Sequence, residues 1–215
     1  MVMKGLFIVL EGIDGAGHST HAQRLKEWLE TGFPKLKGKV ILTREPTDGP
    51  IGSLIRAALR GEFKIGPRAL ALLFTADRLE HVRTLIEPRL KEGYVVISDR
   101  YYLSTLAYQS ASGVDLEWLM ALNADCPRPD LTILLDAPAG VCWARIRSNR
   151  PHLELFEDPS FLEAVRQRFL ELTELLREKG ERIVIVRTDR AFEEAHREVI
   201  GHVRAILFKA HGSKP

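Results

Sequence analysis

The chain has 215 residues, 45% of them hydrophobic and 28% charged, a composition that excludes a disordered polymer and suits one domain burying about 70% of its unfolded surface. Its 31 basic residues nearly cancel 29 acidic ones, which argues against a general nucleic-acid or membrane surface. Two cysteines, Cys126 and Cys142, lack metal-ligand spacing and are too few for a disulfide framework, so buried reduced thiols in a cytoplasmic protein are expected.

The first apolar run, Leu6–Leu10, is far too short to cross a bilayer and lacks a signal-cleavage pattern, so it reads as a strand. Directly after it come Gly12-Ile13-Asp14-Gly15-Ala16-Gly17-His18-Ser19-Thr20 and then a helical stripe of Ala22, Leu25 and Leu29. A glycine-rich turn between a strand and a helix points consecutive N–H groups at one centre, where the helix terminus adds partial positive charge: a phosphate cradle. Ser19 is the candidate hydroxyl ligand for Mg2+. The usual pattern carries lysine where this chain has His18. Three readings follow: His18 donates as imidazolium, other basic residues compensate, or the chain binds nucleotide and turns over poorly.

The next strand, Val40–Thr43, runs into Thr43-Arg44-Glu45-Pro46, placing an arginine at a carboxyl strand end, where open α/β sheets bind ligands. Arg44 is a candidate for an acceptor phosphate, with Pro46 fixing the backbone beside it. Leu72–His81 reads as helix, so Phe74 and Arg78, four apart, share a face; a ring and a guanidinium side by side suit a base. The strand Tyr94–Ser98 leads to Asp99-Arg100-Tyr101 and then Ser104, Tyr108 and Gln109. Asp99 is a second candidate metal ligand, Arg100 a second phosphate ligand, and Ser104 and Gln109 offer hydrogen bonds to a base while Tyr108 walls the sugar.

After a fourth strand, Leu131–Leu135, the basic segment Arg145–Arg150 precedes an acidic, loop-like stretch to Asp158. This is expected to be a lid over about 147–158, with Arg147 and Arg150 closing on the transferring phosphoryl group. Asp158-Pro159 caps a helix whose inward stripe is Leu162, Val165, Phe169, Leu172 and Leu176 and which Gly180 terminates. A fifth strand, Arg182–Val186, and a final helix from about Ala191 to Leu207 complete one unit over 1–210, leaving 211–215 as a tail. Apolar strands alternating with amphipathic helices indicate an α/β fold with a largely parallel sheet covered on both faces.

Taken together, Glu11 to Gly17 with Ser19-Thr20, Thr43-Arg44-Glu45-Pro46, Leu73-Phe74 with Ala76-Asp77-Arg78 and Glu80-His81, and Asp99-Arg100-Tyr101 with Ser104, Ala107, Tyr108 and Gln109 resemble the motifs of the thymidylate kinase family, in its order, from Gly5 to about Leu207. The resemblance implies a P-loop NTPase fold of three layers, five parallel strands in the order 2-3-1-4-5 and a short lid. It implies transfer of the ATP γ-phosphoryl group to dTMP, with Mg2+, by a homodimer. By similarity, Gly12 to Thr20 bind ATP, Phe74 stacks on thymine, Arg78 contacts its carbonyl edge, Arg44 and Arg100 hold the acceptor phosphate, Tyr108 disfavours a ribose 2'-hydroxyl, and Asp14 lies by the sugar or metal. Arg147 and Arg150 resemble the catalytic arginines of the subgroup that carries them in the lid, and Thr188-Asp189-Arg190 resembles the adenine-side loop. Two departures are His18 in place of lysine and Thr47-Asp48-Gly49 in place of paired glycines. They leave open a binding protein with weak catalysis, or a kinase for dUMP or UMP.

Overall fold

The computed structural model describes residues 5–149 and 158–211. Five strands, β1 (Leu6–Glu11), β2 (Val40–Arg44), β3 (Val95–Asp99), β4 (Leu131–Asp136) and β5 (Ile183–Arg187), pair in parallel in the order β2-β3-β1-β4-β5. β1 lies at the centre, with Leu6 opposite Val95 and Ile8 opposite Leu131. Successive strand residues face opposite sides, and all six residues of β1 are buried, so both faces of the sheet are covered.

The covering helices are α1 (His18–Gly32), α2 (Pro50–Leu59), α3 (Pro67–His81), α4 (Glu87–Lys91), α5 (Tyr102–Ala111), α6 (Leu116–Leu122), α7 (Ala139–Asn149), α8 (Pro159–Glu178) and α9 (Phe192–His211). A π turn, Val82–Ile86, joins α3 to α4. The stripe Ala22, Leu25 and Leu29 of α1 is fully buried, as are Leu162, Val165, Phe169, Leu172 and Leu176 of α8. α8 begins as its sequence predicts: the Asp158 carboxylate accepts from the N–H groups of Ser160 and Phe161, and Gly180 at φ 85° follows its end. A separate small core of Ile55, Ala58 and Leu70 holds α2 against α3 and supports Phe74.

Every strand runs one residue past its last predicted position, and the added residues are Glu11, Arg44, Asp99, Asp136 and Arg187, all charged. Apolarity sets the predicted ends; the backbone ladder carries on one residue to the rim, whatever the side chain, with Glu11 and Asp136 still buried and Arg44 and Arg187 exposed. β3 begins one residue later than expected, because the Tyr94 N–H closes a turn onto the Arg89 carbonyl around Gly93, at φ 80°. The basic segment predicted to open the lid is helical as far as residue 149, within α7; Arg150 and the rest of the lid to 157 lie outside the described residues, as does the tail from 212.

Candidate active site

The carboxyl rim of the sheet carries two adjacent clefts that share Asp14. The first, about 420 Å3, is lined by residues 14–21 together with Arg145, Thr188 and Arg190. Its floor is the glycine-rich loop. Gly15 sits at φ 83° with its missing Cβ only 2.4 Å from the Cys142 carbonyl oxygen, so neither backbone angle nor space admits another residue. Ile13 and Ala16 are buried, the Ala16 N–H closes onto the Ile13 carbonyl and the Asp14 N–H donates to the Tyr108 hydroxyl, and the loop leads directly into the N-terminus of α1. Arg145 donates to the carbonyls of Gly15, at 3.2 Å, and Thr188, at 2.7 Å, tying the loop to the end of β5. Sequence reading included Arg145 in the lid segment without giving it this position; its signal was its spacing from Cys142 on α7, which packs behind Gly15. Arg147 is elsewhere, with its guanidinium over the Trp143 ring. Arg190 lines the cleft and pairs with Glu198.

Between the clefts lies a ring of charge. The His18 Nδ1 stands 2.6 Å from an Asp99 oxygen and its Nε2 stands 3.0 Å from the Arg100 guanidinium. A carboxylate only accepts, so, as assigned from this partner, Nδ1 carries a hydrogen toward Asp99 while Nε2 faces the Arg100 guanidinium. Arg100 adopts φ 72°, rare for a residue with a side chain, and donates to the Gly12 carbonyl, the Ser104 hydroxyl and Asp14, at 2.9, 2.9 and 2.8 Å. Burial raises the Asp14 carboxyl, but Arg100, His18 and the Tyr108 hydroxyl outweigh it and hold Asp14 below the usual range. Burial likewise opposes the charge on Asp99, yet His18, Ser19 and Arg100 hold it down to about 2.

The Ser19 hydroxyl donates to the second Asp99 oxygen at 2.5 Å. These two oxygens at the loop's edge suit a hard cation that takes its remaining ligands from phosphate and water. Among the described residues no group of three or more His, Cys, Asp or Glu side chains is placed to hold a metal alone.

The second cleft, about 220 Å3, brings together all nine residues proposed for an acceptor: Asp14, Arg44, Pro46, Phe74, Arg78, Arg100, Ser104, Tyr108 and Gln109. Arg78 is 1% exposed and anchored by Glu45, Asn123 and Thr105, at 2.7, 2.6 and 2.9 Å. Glu45 is held on its other oxygen by His81, 3.0 Å away, and follows into a cis Glu45–Pro46 peptide. Gln109 is fully buried, yet neither its amide nitrogen nor its amide oxygen has a hydrogen-bond partner. Beneath the rim, burial pushes the Glu11 carboxyl up to about 7 despite hydrogen bonds from Ser104 and Tyr101 and the charge of Arg100. The motif contained Glu11, but only its place in the central strand makes it buried.

A family model described as thymidylate kinase matches residues 10–199. The chain belongs to the thymidylate kinase family. Among its relatives, a probable thymidylate kinase of Thermococcus gammatolerans is 45% identical, the match covering 93% of this chain and 96% of the relative. One of Pyrococcus horikoshii is 44% identical over 94% and 97% of the two chains. A solved structure of thymidylate kinase from Ehrlichia chaffeensis superposes with a TM-score of 0.74 at 27% identity, covering 93% of this chain and 98% of that one. Family membership makes the chain a nucleoside monophosphate kinase, and its fold is the P-loop NTPase fold. No described helix is long and apolar enough to cross a membrane.

Proposed function

We propose that this chain transfers the γ-phosphoryl group of ATP to dTMP, with Mg2+, as a cytoplasmic homodimer. Gln109 carries the reading of the acceptor. A buried amide with both groups unsatisfied costs the empty protein free energy, and a pyrimidine's N–H and carbonyl edge would satisfy both. An amide turns over to suit thymine or cytosine alike; Arg78 does not, because guanidinium only donates and so favours a carbonyl over an amino group at the base edge. Phe74 supplies the stacking face, Tyr108, which lines the same cleft, disfavours a 2'-hydroxyl, and Arg44 and Arg100 hold the acceptor phosphate.

The loop from Gly12 to Thr20 cradles the donor phosphates, with Arg190 on the adenine side. Mg2+, when bound, neutralises charge on the phosphates, and Ser19 and Asp99 are the residues that hold it. An acceptor phosphate oxygen is already anionic near neutrality, so in-line attack on the γ-phosphorus requires no general base; Asp14, which borders both clefts, and Arg100, paired with it, orient the attack. The charge that a loop lysine supplies elsewhere comes here from Arg100, which His18 contacts beside the loop, and would be joined by Arg147 only if it left Trp143, and by Arg150. Buried, unpaired Cys126 and Cys142 are consistent with a reducing compartment. Exposed Leu72 and Leu79 on α3 offer a subunit contact.

A coupled ADP-release assay comparing dTMP, dUMP, UMP and CMP tests the assignment. The expected order places dTMP first and CMP last. No turnover with any acceptor, or a preference for a ribonucleotide, would overturn it.

A further inference from the structure

Arg44 leaves the end of β2 with its guanidinium largely exposed, and among the described residues its ion-pair partner is Asp48, 2.6 Å from Nη2. The same Asp48 oxygen lies 3.7 Å from Nη1 of Arg56, a second arginine of the acceptor cleft. The backbone that presents Asp48 is fixed from both sides. Asp77 takes the N–H and the hydroxyl of Thr47, each at 2.7 Å, and Arg56 donates to the Pro46 and Thr47 carbonyls. The Asp48 side chain, by contrast, is 75% exposed and, among the described residues, tied only to the arginines. A rigid loop thus holds a carboxylate against the arginine assigned to the acceptor phosphate.

We propose that Asp48 is a specificity-determining residue that occupies the phosphate position on Arg44 until an incoming monophosphate displaces it. The inference rests on the reading of Arg44 as an acceptor-phosphate ligand. Carboxylate and phosphate both match the planar guanidinium, so they compete for it. A phosphomonoester carries −1.5 to −2 charges near neutrality against −1 for a carboxylate, so it displaces Asp48. Monoanions gain less, and an uncharged nucleoside gains nothing. The pair is exposed, so the competition is modest: about two- to fivefold in acceptor affinity, the range that exposed ion pairs span.

Calorimetry with dTMP and with thymidine, in the absence of ATP, on the parent, Asp48→Asn, Arg44→Ala and the double variant tests this. Asp48→Asn is expected to tighten dTMP binding by about two- to fivefold at low salt, with the gain shrinking as salt rises, and to leave thymidine binding unchanged. In the Arg44→Ala background the same substitution is expected to change the dTMP Kd by less than about 1.5-fold, because the competition has lost its object. If the parent binds dTMP and Asp48→Asn binds it no more tightly, or if the gain persists without Arg44, Asp48 has no such role while the acceptor reading stands. If the parent binds thymidine and dTMP equally, or neither, Arg44 holds no acceptor phosphate and both readings fall.

Discussion

Gln109 is fully buried in the acceptor cleft with no partner for its amide, a state that costs the empty protein about 1–3 kcal/mol. Gln109→Leu, close in size and apolar, removes that cost, so thermal unfolding is expected to show an unchanged or higher midpoint, while kcat/KM for dTMP falls roughly 10- to 100-fold. Loss of stability together with activity would instead make Gln109 a packing residue. Glu11 differs, because its proton tells. Its folded pKa of about 7 lies above the ordinary 4.5, so the folded chain keeps a proton that the unfolded chain releases between those values. Its contribution to stability is present below about 4.5 and lost as pH rises to 7, on the order of 3 kcal/mol at about 1.36 kcal/mol per unit. Glu11→Gln abolishes that dependence: urea denaturation at pH 5 and pH 7.5 is expected to shift in the variant's favour by roughly 2–3 kcal/mol at the higher pH, and parallel curves would refute the buried titration. Phe74 and Arg78 could be paired from the sequence because helical spacing puts them on one face, and Gln109 could be picked out as a polar group just past a strand's carboxyl end; all three line the same cleft. Glu11 and Asp48 were not legible there, since the burial of Glu11 depends on partners 90 and 93 residues away, and the Asp48 ion pair on the fold of its loop.

Among the elements, the strands were legible from their apolar runs and α1, α3, α8 and α9 from their spacing, whereas α2, α4, α5, α6 and α7 were not read as helices and the charged last residue of each strand was missed, because it lies beyond the apolar run. The loop from Glu45 to Gly49 was likewise opaque: its shape comes from Asp77 on α3 and Arg56 on α2. Two helical glycines expose the difference. A Cβ on Gly52 in α2 would lie 1.9 Å from the Thr47 carbonyl oxygen, whereas one on Gly201 in α9 meets nothing within 4 Å. Gly52→Ala must push the loop off Asp77, so it is expected to cost about 1–3 kcal/mol by denaturant titration and to weaken dTMP binding while leaving ADP binding intact. Gly201→Ala is expected to stabilise by about 0.4–1 kcal/mol, since alanine suits a helix and narrows the unfolded ensemble. Equal effects at the two sites would show that the α2–loop contact is not rigid.

At the scale of the whole molecule, five parallel strands bring Glu11, Arg44, Asp99, Asp136 and Arg187 to one rim, and both clefts open there. Apolar patterning gave the strands but not their order; the order 2-3-1-4-5 was read from family motifs, because alternating strands and helices fit several parallel topologies equally well. The motifs gave no view of the surface opposite the clefts. On α3, successive residues turn by about 100°, so Leu72 and Leu79 share one face and Phe74 and Arg78 lie on the other. The leucines are 49% and 43% exposed, although they are large and apolar. Apolar side chains two turns apart on one exposed stripe favour contact with another surface over contact with water, and a second copy paired through α3 would brace the helix that carries Phe74 and Arg78. Light scattering is expected to give about twice the 24.3 kDa of one chain, and Leu72→Asp with Leu79→Asp is expected to halve that mass and raise the KM for dTMP more than that for ATP. A parent chain of single mass, or a monomeric variant with unchanged KM for dTMP, would show that α3 holds the acceptor cleft without a partner.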